Sequence, residues 1–84
     1  DEPEAALSPS MQMTLLVEFK RMLDHGCQLI IATHSPILLA YPGAVIYEIN
    51  DSEITQKSYE ETEVFNTYSL FINNHHRMID QLLD

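Results

Sequence analysis

Eighty-four residues allow one small domain with a thin core, and an apolar fraction of 45% marks a folding chain rather than a disordered one. Thirteen acidic residues against four basic ones give a formal charge of -9, a balance that repels nucleic acid and anionic membranes. The lone cysteine, Cys27, excludes an internal disulfide framework and fits a reducing compartment.

The chain opens on Asp1-Glu2-Pro3-Glu4. At a strand end, adjacent side chains alternate faces, so one carboxylate can face a metal while its neighbour faces a water. Pro3 withdraws a backbone donor, as a strand-to-loop exit does. A strand-end motif without its strand suggests a piece of a larger protein. Ser8-Pro9 then reads as a helix start, serine at the N-cap and proline where its missing N–H costs nothing. Met11, Leu15, Phe19 and Met22, widened by Leu16 and Leu23, lie on one helical face. Lys20 and Arg21 suit the negative end of the helix dipole, and Gly26 closes the helix.

Residues 28–33 are continuously apolar after Gln28, the pattern of a strand covered on both faces in a parallel sheet. Ser35-Pro36 starts a short helix over 37–41, which Pro42-Gly43 stops. Residues 44–49 form a second strand, Asn50-Asp51-Ser52 turns the chain, and 53–58 alternates weakly as an edge hairpin strand would. In the tail, Val64, Phe65, Tyr68, Phe71 and Ile72 share a helical face. Asn73-Asn74 interrupts it, and Met78, Ile79, Leu82 and Leu83 resume it. The order of elements is an α/β pattern.

Two segments carry chemistry. Hydrolysis of a phosphoanhydride needs a metal that neutralises phosphate oxygens and a group that orients or deprotonates water. Asp1 and Glu2 have the functional groups for those two tasks, although a bare Asp-Glu-Pro is more often an exposed acidic terminus. His34 follows the apolar run directly, at the strand edge where open α/β sheets place their ligands. An acidic pair one helix upstream makes it more than a capping histidine.

These residues resemble a known family. Asp-Glu-Pro-Glu-x-x-Leu-Ser-Pro, then an apolar run ending Ala32-Thr33-His34-Ser35-Pro36, is similar to the back portion of an ABC-type ATPase of the P-loop NTPase class. More narrowly, it resembles the soluble bacterial predicted ATPases related to the RecF, SMC and OLD-nuclease groups. The stretch from Ile31 through Pro42-Gly43-Ala44 and the later Tyr59-Glu60-Glu61-Thr62-Glu63 extend the likeness over nearly the whole chain. The resemblance implies the C-terminal part of a three-layer domain, with parallel strands, flanking helices and a small edge hairpin, and residues 1–84 belonging to one ATPase domain. It implies that Asp1 ends the Walker B motif and holds Mg²⁺ through water. Glu2 would be the catalytic carboxylate, and His34 the switch histidine on the γ-phosphate. Ala5, Ala6, Leu7 and Ser8 would form the D-loop, which crosses the interface of a homodimer that binds ATP. Ser8 stands where that loop usually ends in aspartate.

The chain holds no Gly-x-x-x-x-Gly-Lys-Ser/Thr loop, Gly-rich signature segment or Gln-loop. The 84 residues alone are therefore expected to be inactive, with Mg²⁺ and ATP binding dependent on a missing N-terminal part. No apolar run approaches the roughly 20 residues that span a bilayer. No signal-type segment opens the chain either, so a cytoplasmic protein is expected. Two other readings remain: a non-catalytic interaction module docking through the amphipathic tail, and a metal-dependent phosphoesterase with Asp1, Glu2 and His34 as direct ligands.

Other candidates carry less. Adjacent His75 and His76 point apart on a helix and lack the spacing of metal ligands. His25 suits the helix C-terminus. Ser35 has no nucleophile-elbow glycines. Cys27 is expected to be a small core residue, and Glu60, Glu61 and Glu63 a solvated helix start.

Overall fold

A computed structural model describes residues 5–84, and the chain divides into two compact units, one ending at Ala44 and the other running from Val45 to Asp84.

In the first unit, α1 (Pro9–Asp24) starts where Ser8-Pro9 predicts. The Ser8 hydroxyl accepts the Met11 N–H at 3.3 Å, and the Ser8 carbonyl accepts the Gln12 N–H at 2.9 Å. The helix ends through Gly26, whose φ of 88° would strain any residue with a Cβ. Gly26 N–H reaches the Leu23 carbonyl at 3.0 Å and Cys27 N–H the Met22 carbonyl at 3.1 Å, the paired bonds of a Schellman ending. Lys20–Asp24, at 2.8 Å, and Arg21–Glu18 are exposed ion pairs on the helix surface, where such pairs contribute little. α1 packs against a short 3₁₀ turn, Leu38–Ala40, and Phe19 and Leu38 are the buried apolar residues of this unit. The expected helix over 37–41 is thus this single turn. Much of the apolar stripe stays in solvent, including Met11 and Met22.

The expected strand over 28–33 does not form. No ladder bonds run along it, and Ile30 is 91% exposed. A strand is held by hydrogen bonds to a neighbour, and among the described residues none lies beside it. The described residues contain no parallel pair; their sheet is a two-stranded antiparallel hairpin. Cys27, expected in a core, is exposed for the same reason.

In the second unit, β1 (Ile46–Asn50) pairs antiparallel with β2 (Glu53–Lys57), Asn50 opposite Glu53 and Ile46 opposite Lys57. Asp51 turns the chain with φ 41°, a conformation aspartate tolerates better than branched residues. The hairpin was legible as a second strand and an edge strand; the first begins two residues later than expected.

α2 (Glu63–Leu83) starts at Thr62, only 2% exposed, whose hydroxyl accepts the Phe65 N–H at 3.2 Å and donates to the Tyr59 carbonyl at 2.7 Å. A 3₁₀ turn, Tyr59–Glu61, leads into it, with Ser58 N–H donating to Glu61 Oε1 at 3.0 Å. Tyr59 and Phe65 meet edge-on, ring centroids 4.9 Å apart. The hairpin joins this start through Glu48, which accepts the Glu63 N–H at 2.7 Å and pairs with Lys57 at 3.1 Å. An anion on the first N–H groups of a helix is stabilised by the helix dipole as well as by the bonds. The expected interruption at Asn73-Asn74 is a kink within one helix: Asn74 has φ -138° and ψ 28°, and its side-chain amide donates to the Leu70 carbonyl. No residue of α2 is buried, and Ile72, Leu82 and Leu83 are largely exposed.

Candidate functional site

Of the sequence-predicted site residues, Asp1 and Glu2 lie outside the described residues, so their expected convergence with His34 has no geometry here. The remaining candidates fall in the first unit. Ala5 and Ala6 form an exposed turn, Leu7 is half-buried, and Ser8 caps α1. His34 is exposed on the segment between α1 and the 3₁₀ turn, beside a residue of opposite character.

That residue is Ser35, 4% exposed. Its hydroxyl oxygen accepts the N–H groups of Ile37 and Leu38, each at 3.1 Å, and its own N–H donates to Thr33 Oγ1 at 3.0 Å. The Ser35 carbonyl accepts the Leu39 N–H at 3.1 Å. With both lone pairs taken by backbone donors, the hydroxyl must give its proton away. It gives it to Gln12 Oε1 at 2.5 Å. Gln12 therefore presents its NH₂ group in the other direction, and Nε2 donates to the Leu7 carbonyl at 3.1 Å. One side-chain amide on α1 thereby ties the 5–8 segment to the segment that carries His34.

Sequence reasoning found the two segments and missed the residue between them. Ser35-Pro36 did signal a cap, because a hydroxyl before proline is a helix-start pattern. The hydroxyl's remaining partner lies 23 positions away. A glutamine inside an amphipathic helix carries no local sign of it. The bonds also explain why Ser35 is no nucleophile: its proton and both lone pairs are committed to structure.

The other singled-out residues take structural places. His25 Nδ1 lies 2.8 Å from the Arg21 carbonyl at the end of α1. His75 and His76, expected to point apart, lie with ring centroids 4.4 Å apart and ring planes tilted by 33°, and no cluster of three or more His, Cys, Asp or Glu side chains able to hold a metal occurs among the described residues. The Glu61 carboxylate is held below its usual pKa by the Ser58 backbone and side chain, so it serves the turn. A shallow groove lies along α2 beside Asn74, lined by Leu70, Arg77, Met78 and Gln81, with no catalytic arrangement in it. No helix among the described residues is long and apolar enough to cross a membrane.

Residues 1–40 match a family profile described as "AAA domain, putative AbiEii toxin, Type IV TA system". No curated protein and no solved structure gives a significant match. The matched segment takes in the acidic opening, the 5–8 turn, Gln12 and the His34 loop, and ends at Ala40. In that part the chain is similar to an AAA-type domain of the P-loop class, which supports nucleotide binding and ATP hydrolysis as the general type of function.

Proposed function

We propose that this chain is the C-terminal segment, residues 1–84, of a cytoplasmic ABC-class ATPase domain of the RecF, SMC and OLD-like group. The intact protein would dimerise and convert ATP and water to ADP and phosphate. The observation that carries this reading is the family match over residues 1–40, which spans both the acidic pair and the His34 loop. The run over 28–33 forms no strand among the described residues, but its exposed Ile30 and Ile31 are the apolar surface that neighbours from the rest of such a domain would cover, which supports the reading.

Each residue's task follows from its chemistry. Asp1 offers a hard carboxylate oxygen, the donor type Mg²⁺ takes, and would hold the ion through water. When bound, Mg²⁺ neutralises the β- and γ-phosphate oxygens. Glu2 orients the attacking water and accepts its proton. His34, exposed on a loop fixed by the buried Ser35, suits a contact to a γ-phosphate oxygen, directing that phosphorus at the water Glu2 holds. Ala5, Ala6, Leu7 and Ser8 form the D-loop at the dimer interface. Ser8 differs from the usual aspartate in carrying no charge; its oxygen accepts the Met11 N–H, so its part there is that of a neutral cap.

The test is Glu2→Gln in the intact protein. Loss of a general base lowers turnover by about 10²–10⁴-fold, with ATP still bound and an ATP-bound dimer accumulating. Parental turnover in that variant would remove Glu2 from the role. His34→Ala is expected to cut kcat while leaving ATP affinity near parental, and the purified 84-residue chain should release no phosphate above background.

Exposed Ile72, Leu82 and Leu83 favour a second reading, a non-catalytic module that docks through α2. Concentration-dependent sedimentation of the intact protein, unchanged by nucleotide, would select it. A metal-dependent phosphoesterase would instead bind metal through Asp1, Glu2 and His34 with no ATP present.

A further inference from the structure

We infer that Gln12 is a positioning residue for ATP hydrolysis, holding the His34 loop in register with the 5–8 segment; this rests on the ATPase reading. Its amide donates to the Leu7 carbonyl at 3.1 Å and accepts the Ser35 proton at 2.5 Å, so one side chain of α1 holds both partners. Ser35 in turn fixes the backbone on the C-terminal side of His34, with the N–H groups of Ile37 and Leu38 closing onto its hydroxyl. Because Ser35 is 4% exposed, water cannot readily replace the amide as acceptor. The link therefore sets where the loop lies relative to α1, and with it where the His34 ring stands. Gln12 itself touches no reacting atom in this scheme. Misplacement by about 1 Å of a group that aligns reactants can cost roughly 10²-fold in rate. Substrate affinity in such a site comes mainly from a phosphate loop, a motif these 84 residues do not contain, so the loss is expected on kcat.

The experiment measures steady-state ATP turnover of the intact protein, normalised to the amount of ATP bound, in Gln12→Ala, Ser35→Ala and the double variant. Gln12→Ala is expected to lower kcat by about 10- to 100-fold with KM within about threefold of parental. Because the two residues act through one bond, the double variant should lose little more than the worse single one. Gln12→Glu supplies a readout that simple loss of packing would not move. An ionised carboxylate still accepts from Ser35 but cannot donate to Leu7, whereas the protonated acid can do both. Its kcat relative to parental protein should therefore rise as pH falls toward the carboxylate range near about 4.3.

Gln12→Ala within twofold of parental kcat, a rise in KM at unchanged kcat, or multiplying losses in the double variant would each overturn the inference. If Gln12→Ala fails to fold and binds no ATP, Gln12→Glu decides: a pH-independent ratio to parental overturns it, and a rising ratio supports it. An intact parental protein that turns over no ATP removes the ATPase reading and this inference together. Parental turnover with indifferent Gln12 variants removes only the inference.

Discussion

Ser35 in the first unit and Thr62 in the second are the buried polar residues of the described chain, and both are hydroxyls that start a turn of helix. Each oxygen accepts backbone N–H groups just ahead of it: Ile37 and Leu38 for Ser35, Phe65 for Thr62. They differ in where the proton goes. Thr62 donates to the Tyr59 carbonyl, three residues back, whereas Ser35 donates to Gln12 on another element. A cap whose bonds are all local can be read from its neighbours. One that spends its proton on a distant side chain converts a local motif into a tertiary constraint. The second unit uses its hydroxyl to start a helix; the first uses the same group to locate a loop that bears a candidate catalytic histidine.

Removing each hydroxyl should separate the two roles. Ser35→Ala strands two N–H groups and the Gln12 oxygen in a buried place, a loss of about 2–3 kcal/mol. Amide exchange at Ile37 and Leu38 should accelerate by about thirtyfold or more, accompanied by the fall in ATP turnover. Unchanged exchange there would show that the backbone does not depend on the serine.

Thr62→Ala is expected to cost about 1–2 kcal/mol, the usual worth of an N-cap hydroxyl. Exchange at Phe65 N–H should rise by about five- to thirtyfold. ATP turnover should stay at the parental rate. A matching loss of turnover would break the contrast between the units.

The smallest effect concerns Glu48. The Glu63 N–H first, and then Lys57, hold its carboxyl below the usual 4.5. A depressed folded pKa means that the carboxylate's contribution is present above the unfolded value and is lost as pH falls through the folded one. The Glu63 amide proton, followed by NMR, should therefore titrate with a midpoint under 4.5, and Glu48→Gln should remove that transition. A midpoint at or above 4.5 would deny the carboxylate its place on the helix start.

Much of the local structure was legible because its causes are local. Ser8-Pro9 starts α1, Gly26 ends it through a φ of 88°, and Asn74 bends α2 where an asparagine pair interrupts the stripe. The residues around 51 turn a hairpin whose register follows from the short connection. The apolar run over 28–33 was misread as a strand of these 84 residues, since composition reports what a segment can join and not whether a neighbour is there.

By itself, then, the sequence determined the caps, the turn, the kink and the pair of motifs that resemble an ATPase, all of them set by residues within a few positions of each other. Only the tertiary structure decided that Gln12 faces both Leu7 and Ser35, and that Glu48 of β1 accepts the first N–H of α2. The bonds to Ser35 and to Glu48 join residues 23 and 15 positions apart in the chain, and a hydrogen bond's distance is fixed by the fold that brings its ends together.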